Sequence, residues 1–82
     1  MIYGIYAIRD AKTTFMPANV DINDGSAIRN FEHAVMQPDS LLRSHPADFS
    51  LWKLGFFRQD DGVVEPLDKP VQIADAASIV KE

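Results

Sequence analysis

Asp48-Phe49-Ser50-Leu51-Trp52-Lys53-Leu54-Gly55-Phe56-Phe57-Arg58, followed by Gln59-Asp60-Asp61-Gly62, is the stretch that decides the fold. It is dense in aromatic and apolar residues and bounded by a turn signal, so it predicts the longest strand of the chain. Strict alternation divides it into Phe49, Leu51, Lys53, Gly55 and Phe57 against Ser50, Trp52, Leu54, Phe56 and Arg58. Neither set is polar, which predicts a strand flanked on both sides. Asp61-Gly62 supplies the positive-φ residue of a tight hairpin, so Val63-Val64-Glu65 is expected to return antiparallel until Pro66 cuts it short.

Outward from this hairpin, Ile2-Tyr3-Gly4-Ile5-Tyr6-Ala7-Ile8-Arg9 reads as a second strand apolar on both faces. Ile2, Gly4, Tyr6 and Ile8 lie on one face, and Tyr3, Ile5 and Ala7 on the other. Thr13-Thr14-Phe15-Met16 predicts a short strand ended by Pro17, and Asn19 to Asn23 a polar connection. A helix follows, capped near Asn23, Asp24 or Ser26 and running to about Met36 before Pro38. Ile28, Phe31 and Val35, with Ala27 and Ala34 beside them, form its apolar stripe. A further helical turn is expected from Asp39 to Ser44, an edge strand over Pro70-Val71-Gln72-Ile73, and a helical turn or docked tail over Ala74 to Val80. The fold class expected is α+β: an antiparallel sheet of four or five strands with one main helix packed on it.

Eighty-two residues, 46% hydrophobic and without cysteine, predict one domain over residues 1–82. A core this small, with doubly apolar strands and no disulfide, predicts a homodimer. Net charge −4 and a pI near 4.9 exclude bulk neutralisation of a genome. The apolar start of the chain has no basic flank and is cut by Arg9-Asp10, so neither a signal peptide nor a membrane anchor is expected, and a cytoplasmic location is.

Catalytic and cofactor chemistry has little to stand on. There is no cysteine, no Gly-x-Ser-x-Gly elbow and no glycine-rich phosphate loop; the four glycines are scattered. His33 and His45 lack the spacing and company of metal ligands. Asp21, Asn23, Asp24 and Gly25 only partly match a calcium loop, whose register they miss, and suit helix capping. The expectation is therefore no enzyme, no cofactor and no metal. One pattern does suggest a ligand: Tyr3 and Tyr6 near Arg9 and Lys12, and Trp52, Phe56 and Phe57 with Lys53 and Arg58, interleave aromatic and basic residues as single-strand binders do. From composition and pattern alone, a core or a dimer interface is the favoured use of these aromatics over base stacking.

The runs Ile8-Arg9-Asp10, Ala27-Ile28-Arg29-Asn30-Phe31-Glu32-His33-Ala34 and Ser44-His45-Pro46-Ala47-Asp48-Phe49-Ser50-Leu51-Trp52-Lys53-Leu54-Gly55 together resemble the small nonstructural protein of gokushoviruses, Microviridae phages with single-stranded DNA genomes. That family is described as DNA-binding. The resemblance implies a viral protein acting in genome replication or packaging in the host cytoplasm. Combined with the aromatic and basic pattern, it predicts Arg9, Lys12, Arg43, Lys53 and Arg58 as phosphate contacts and Tyr3, Tyr6 and Trp52 as stacking surfaces for single-stranded DNA. The alternative is an acidic interaction module that engages a viral or host replication or assembly protein.

Overall fold

The computed structural model describes residues 1–80. Strand β1 (Ile2–Asp10) is followed by β2 (Asn19–Asp21), helix α1 (Asp24–Met36), the short helix α2 (Leu41–Ser44), a 3-10 turn at Pro46–Asp48, β3 (Phe49–Arg58), β4 (Val64–Asp75) and helix α3 (Ala76–Val80). The sheet is antiparallel throughout, in the order β2-β1-β3-β4. The two strands with no polar face are thus the two central ones. The expected α+β architecture, a four-stranded antiparallel sheet with helices on it, is what forms.

The helices gather on one side of the sheet. Tyr6 of β1 and Phe49 and Leu51 of β3 meet Ala27, Phe31 and Val35 of α1 and Ala76 of α3 in a single core, with Ile79 and Val80 packed at its edge. Asn23 opens α1 by accepting the Ser26 backbone N–H at 2.8 Å, and Pro38 prevents the helix from continuing past Gln37. Ser40 caps α2 in the same way, through the Leu42 N–H at 3.1 Å.

Three local expectations are corrected. Thr13–Met16 is not a strand: Phe15 makes one isolated bridge to Arg9, with a bond from the Met16 N–H to the Ile8 carbonyl at 2.7 Å. Pro17 has no N–H with which to extend this pairing. The edge strand is Asn19–Asp21, inside the stretch expected to be a connection, because it satisfies the outer edge of Gly4–Tyr6. The two short return strands are one strand, β4, whose register slips between Gly55↔Pro66 and Lys53↔Val71, so that Pro66 and Pro70 sit on an edge that tolerates them.

A further correction governs the faces. Ile5 pairs with Gly55 but Tyr6 pairs with Lys53, so Leu54 is a bulge and alternation in β3 resets there. The helix side carries Phe49, Leu51, Lys53, Phe56 and Arg58. The opposite side carries Ser50, Trp52, Gly55 and Phe57, together with Tyr3, Ile5, Ala7 and Arg9 of β1.

Tyr6 is 1% exposed, and its hydroxyl donates to Asp24 Oδ1 at 2.6 Å; Lys53 Nζ lies 3.0 Å from the same oxygen. Burial, then the Asp24 hydrogen bond, raises the Tyr6 pKa well above its ordinary 10.0. The Tyr6 hydrogen bond, then Lys53, lowers that of Asp24, and Asp21 is lowered chiefly by its bond to the Ser26 side chain. A lowered carboxylate stabilises the fold above its unfolded pKa, and that contribution is lost as pH falls through the folded value. A raised tyrosine contributes fully below its unfolded pKa and is lost as pH climbs above it. Urea denaturation is therefore expected to show constant stability from about pH 5 to pH 9 and a decline on both sides. Tyr6→Phe should flatten the alkaline decline, and Asp24→Asn should weaken the acid one.

Candidate nucleic-acid interface

Among the described residues, no helix packs on the other side of the sheet. Strand pairing places Tyr3, Trp52 and Phe57 on it, half-buried by their neighbours, and Phe15 joins them through its bridge to Arg9. Phe15 and Trp52 meet edge to face, with centroids 6.0 Å apart, and the Arg9 guanidinium lies 5.9 Å from the Phe15 ring. The Trp52 indole N–H donates to Ser50 Oγ at 2.7 Å, which fixes the ring against the strand. The face is thus a set of ring surfaces held in place by the sheet, with a cation at one end.

Charge is sorted between the two sides. Asp10, Asp21, Asp24 and Glu65 pair into the helix side, and Asp60 and Asp61 sit in the hairpin turn. Among the described residues that strand pairing assigns to the open face, Asp75 is the sole acid. Strand pairing thus puts few of the chain's acids on the open face, although Asp48 and Asp75 share a hollow with Arg9 at its end.

The structure unites only part of the predicted set. Tyr3, Trp52 and Arg9 share the open face, and Lys12 is exposed in the turn that follows β1. Tyr6 belongs to the core, so it offers no ring to a base. Lys53 also faces the helix side; its ammonium is paired with Asp24 and lies 4.5 Å from the Phe56 ring. Arg58, on the same side, is paired with Asp61 at 3.3 Å and Glu65 at 3.1 Å, which ties the hairpin together. Arg43 donates to the Met36 carbonyl at 3.1 Å and helps to close the end of α1.

Phe15 was missing from the expected pattern, and Phe57, which belongs to that pattern beside Lys53 and Arg58, was not among the expected stacking surfaces. Phe57 reaches the open face only because of the Leu54 bulge, and Phe15 through a loop that folds back on β1. At the Arg9 end a hollow of about 360 Å³ is lined by Arg9, Ser50, Trp52, Gln72, Asp75 and a second acid, Asp48. A larger groove of about 530 Å³ lies between α1 and the residues around Met16 to Asp21, but no basic side chain lines it. Among the described residues, no three His, Cys, Asp or Glu side chains cluster to hold a metal.

The family of the Phage ORF5 protein matches this chain over residues 3–79, nearly its whole length. No curated protein and no solved structure matches it.

Proposed function

The chain belongs to the Phage ORF5 protein family and is a phage protein, and we propose that it binds single-stranded DNA across the open face of its sheet. The observation that carries this reading is the gathering of Tyr3, Phe15, Trp52 and Phe57 beside Arg9 on a sheet face to which strand pairing assigns one acid, Asp75. Ring faces stack on any unpaired base, and a nearby cation takes the phosphate. Lys12, at the end of β1, extends the cationic edge. Tyr6, Lys53, Arg43 and Arg58 act in the fold and not on the ligand.

In this reading the protein is a nonstructural gokushovirus protein of the Microviridae, a binding protein and not an enzyme, working on the genome during replication or packaging in the host cytoplasm. No helix among the described residues is long and apolar enough to cross a membrane. A homodimer would join two such faces into a longer track, which compensates for the few cations each copy contributes.

Trp52 is the only tryptophan, so its fluorescence reports directly on the face. Titration with a thymidine oligonucleotide is expected to quench it, and affinity is expected to fall as salt rises. Arg9→Gln should reduce the slope of log K against log salt by about 0.7, the contribution of one phosphate contact on a single strand. Unquenched fluorescence and no anisotropy change at low salt would refute the reading. A second reading, a module that engages a basic viral or host replication protein, draws on the acids gathered on the helix side; it predicts binding that Arg9→Gln leaves unchanged.

A further inference from the structure

The hollow at the Arg9 end has polar groups that plain ring stacking does not need. Two adjacent rows cross the sheet there: Arg9, Ser50 and Asp75 are paired in one, and Ala7, Trp52 and Gln72 in the next. All but Ala7 line the same hollow of about 360 Å³. Arg9 and Asp75 are two strands apart, about 10 Å, which is comparable to the reach of a nucleotide from its phosphate to its Watson–Crick edge. Resting on the single-strand reading above, we infer that this hollow is a base subsite selective for guanine: Trp52 stacks the base, Arg9 holds its phosphate, and Asp75 with Gln72 reads its Watson–Crick edge.

Hydrogen-bond chemistry selects the base. One Asp75 oxygen accepts the Ser78 N–H at 2.8 Å, and an ionised carboxylate keeps further acceptor positions and no donor. The bonds from Ser78, side chain first and then backbone, hold that carboxyl below the usual carboxylate range, so it is ionised at neutral pH. Its ligand must therefore present donors. Guanine offers two adjacent donors, N1–H and the N2 amino group, which match the two oxygens of a carboxylate. Thymine offers one donor between two acceptors, and cytosine and adenine each set an acceptor beside their amino group, facing the carboxylate. Gln72 carries both a donor and an acceptor, so it can serve the O6 of guanine without discriminating strongly by itself.

The test uses the whole protein with an eleven-nucleotide thymidine strand carrying dG, dA, dC or dT at its centre; a single dG avoids four-stranded structures. Anisotropy competition is expected to give the dG strand about tenfold tighter binding, the discrimination of one good bidentate contact. Asp75→Asn keeps an acceptor for the Ser78 N–H and so preserves the start of α3, but it should abolish the preference for dG; with one negative charge fewer on the face, affinity for the all-thymidine strand should not fall. Equal binding of the four strands, or a preference for dA or dC, overturns the guanine subsite and leaves single-strand binding standing. A dG preference that survives in Asp75→Asn also overturns the assignment. Failure of every strand to bind overturns both readings at once.

Discussion

Gly55→Ala is expected to destabilise the protein by about 3 kcal/mol, the upper range for overpacking a tight site. A Cβ at Gly55 would lie 2.5 Å from the Glu65 carbonyl oxygen and 2.8 Å from Pro66 Cα. Both obstacles are backbone, so no side chain can rotate out of the way; β4 would have to part from β3 where the two strands approach most closely. For a domain of this length, whose whole stability is on the order of 4–12 kcal/mol, the loss is a large share. Thermal unfolding by circular dichroism should show a midpoint lower by at least about 12 °C. Gly25→Ala is the control. Its Cβ would meet only Asn23 Oδ1, at 3.5 Å, within a helix that prefers alanine, so stability should hold or rise by up to about 1 kcal/mol. Equal stability of Gly55→Ala and the parent would show that β4 is not held against β3 as described.

The same segment separates what the sequence discloses from what it conceals. The central strands and α1 were legible because their signals are local: aromatic runs, the Asp61-Gly62 turn, the Asn23 cap and the Ile28, Phe31, Val35 stripe. That Tyr3 and Tyr6 oppose each other also follows from alternation alone. Which of the two is covered does not, because it depends on where α1 lands, and Asp24 decides it by binding the Tyr6 hydroxyl. The one sequence hint of the Leu54 bulge is Gly55 inside the strand, which does not say how the register resets, and the bulge exchanges the faces of Phe56 and Phe57. Strict alternation would have put Phe57 in the core beside Leu51 and Phe56 on the surface beside Trp52. Lys53 and Arg58 were attractive as phosphate ligands because they follow aromatics along the chain. In the fold each lies beside a carboxylate: Lys53 beside Asp24 of α1, and Arg58 beside Asp61, three residues on, and Glu65 across the hairpin. The polar Asn19–Asp21 is a strand for want of any other partner for the edge of β1.

Trp52→Ala should weaken single-stranded DNA binding by about 5- to 150-fold, the range that follows from roughly 1–3 kcal/mol for one base stacked on one aromatic ring. Trp52 is the largest ring on the open face; it borders the hollow and meets Phe15 edge-on, so its removal deletes a stacking surface and loosens a second. Trp52→Phe separates the two roles. It keeps a flat ring for stacking but loses the indole N–H that bonds Ser50, and most of the affinity should survive. Because the variants lack the fluorescent residue, binding is followed by the anisotropy of a labelled strand, with far-ultraviolet circular dichroism to establish that each is folded. Tyr3→Ala, toward the other end of the face, should cost less than Trp52→Ala, since its ring offers less area and lies away from Arg9. If the acids of the helix side formed the working surface instead, Trp52→Ala and Tyr3→Ala would leave partner binding intact. The decisive result is the order Trp52→Ala, then Tyr3→Ala, then Trp52→Phe in loss of affinity; a folded Trp52→Ala that binds DNA as well as the parent would remove the open face from the function.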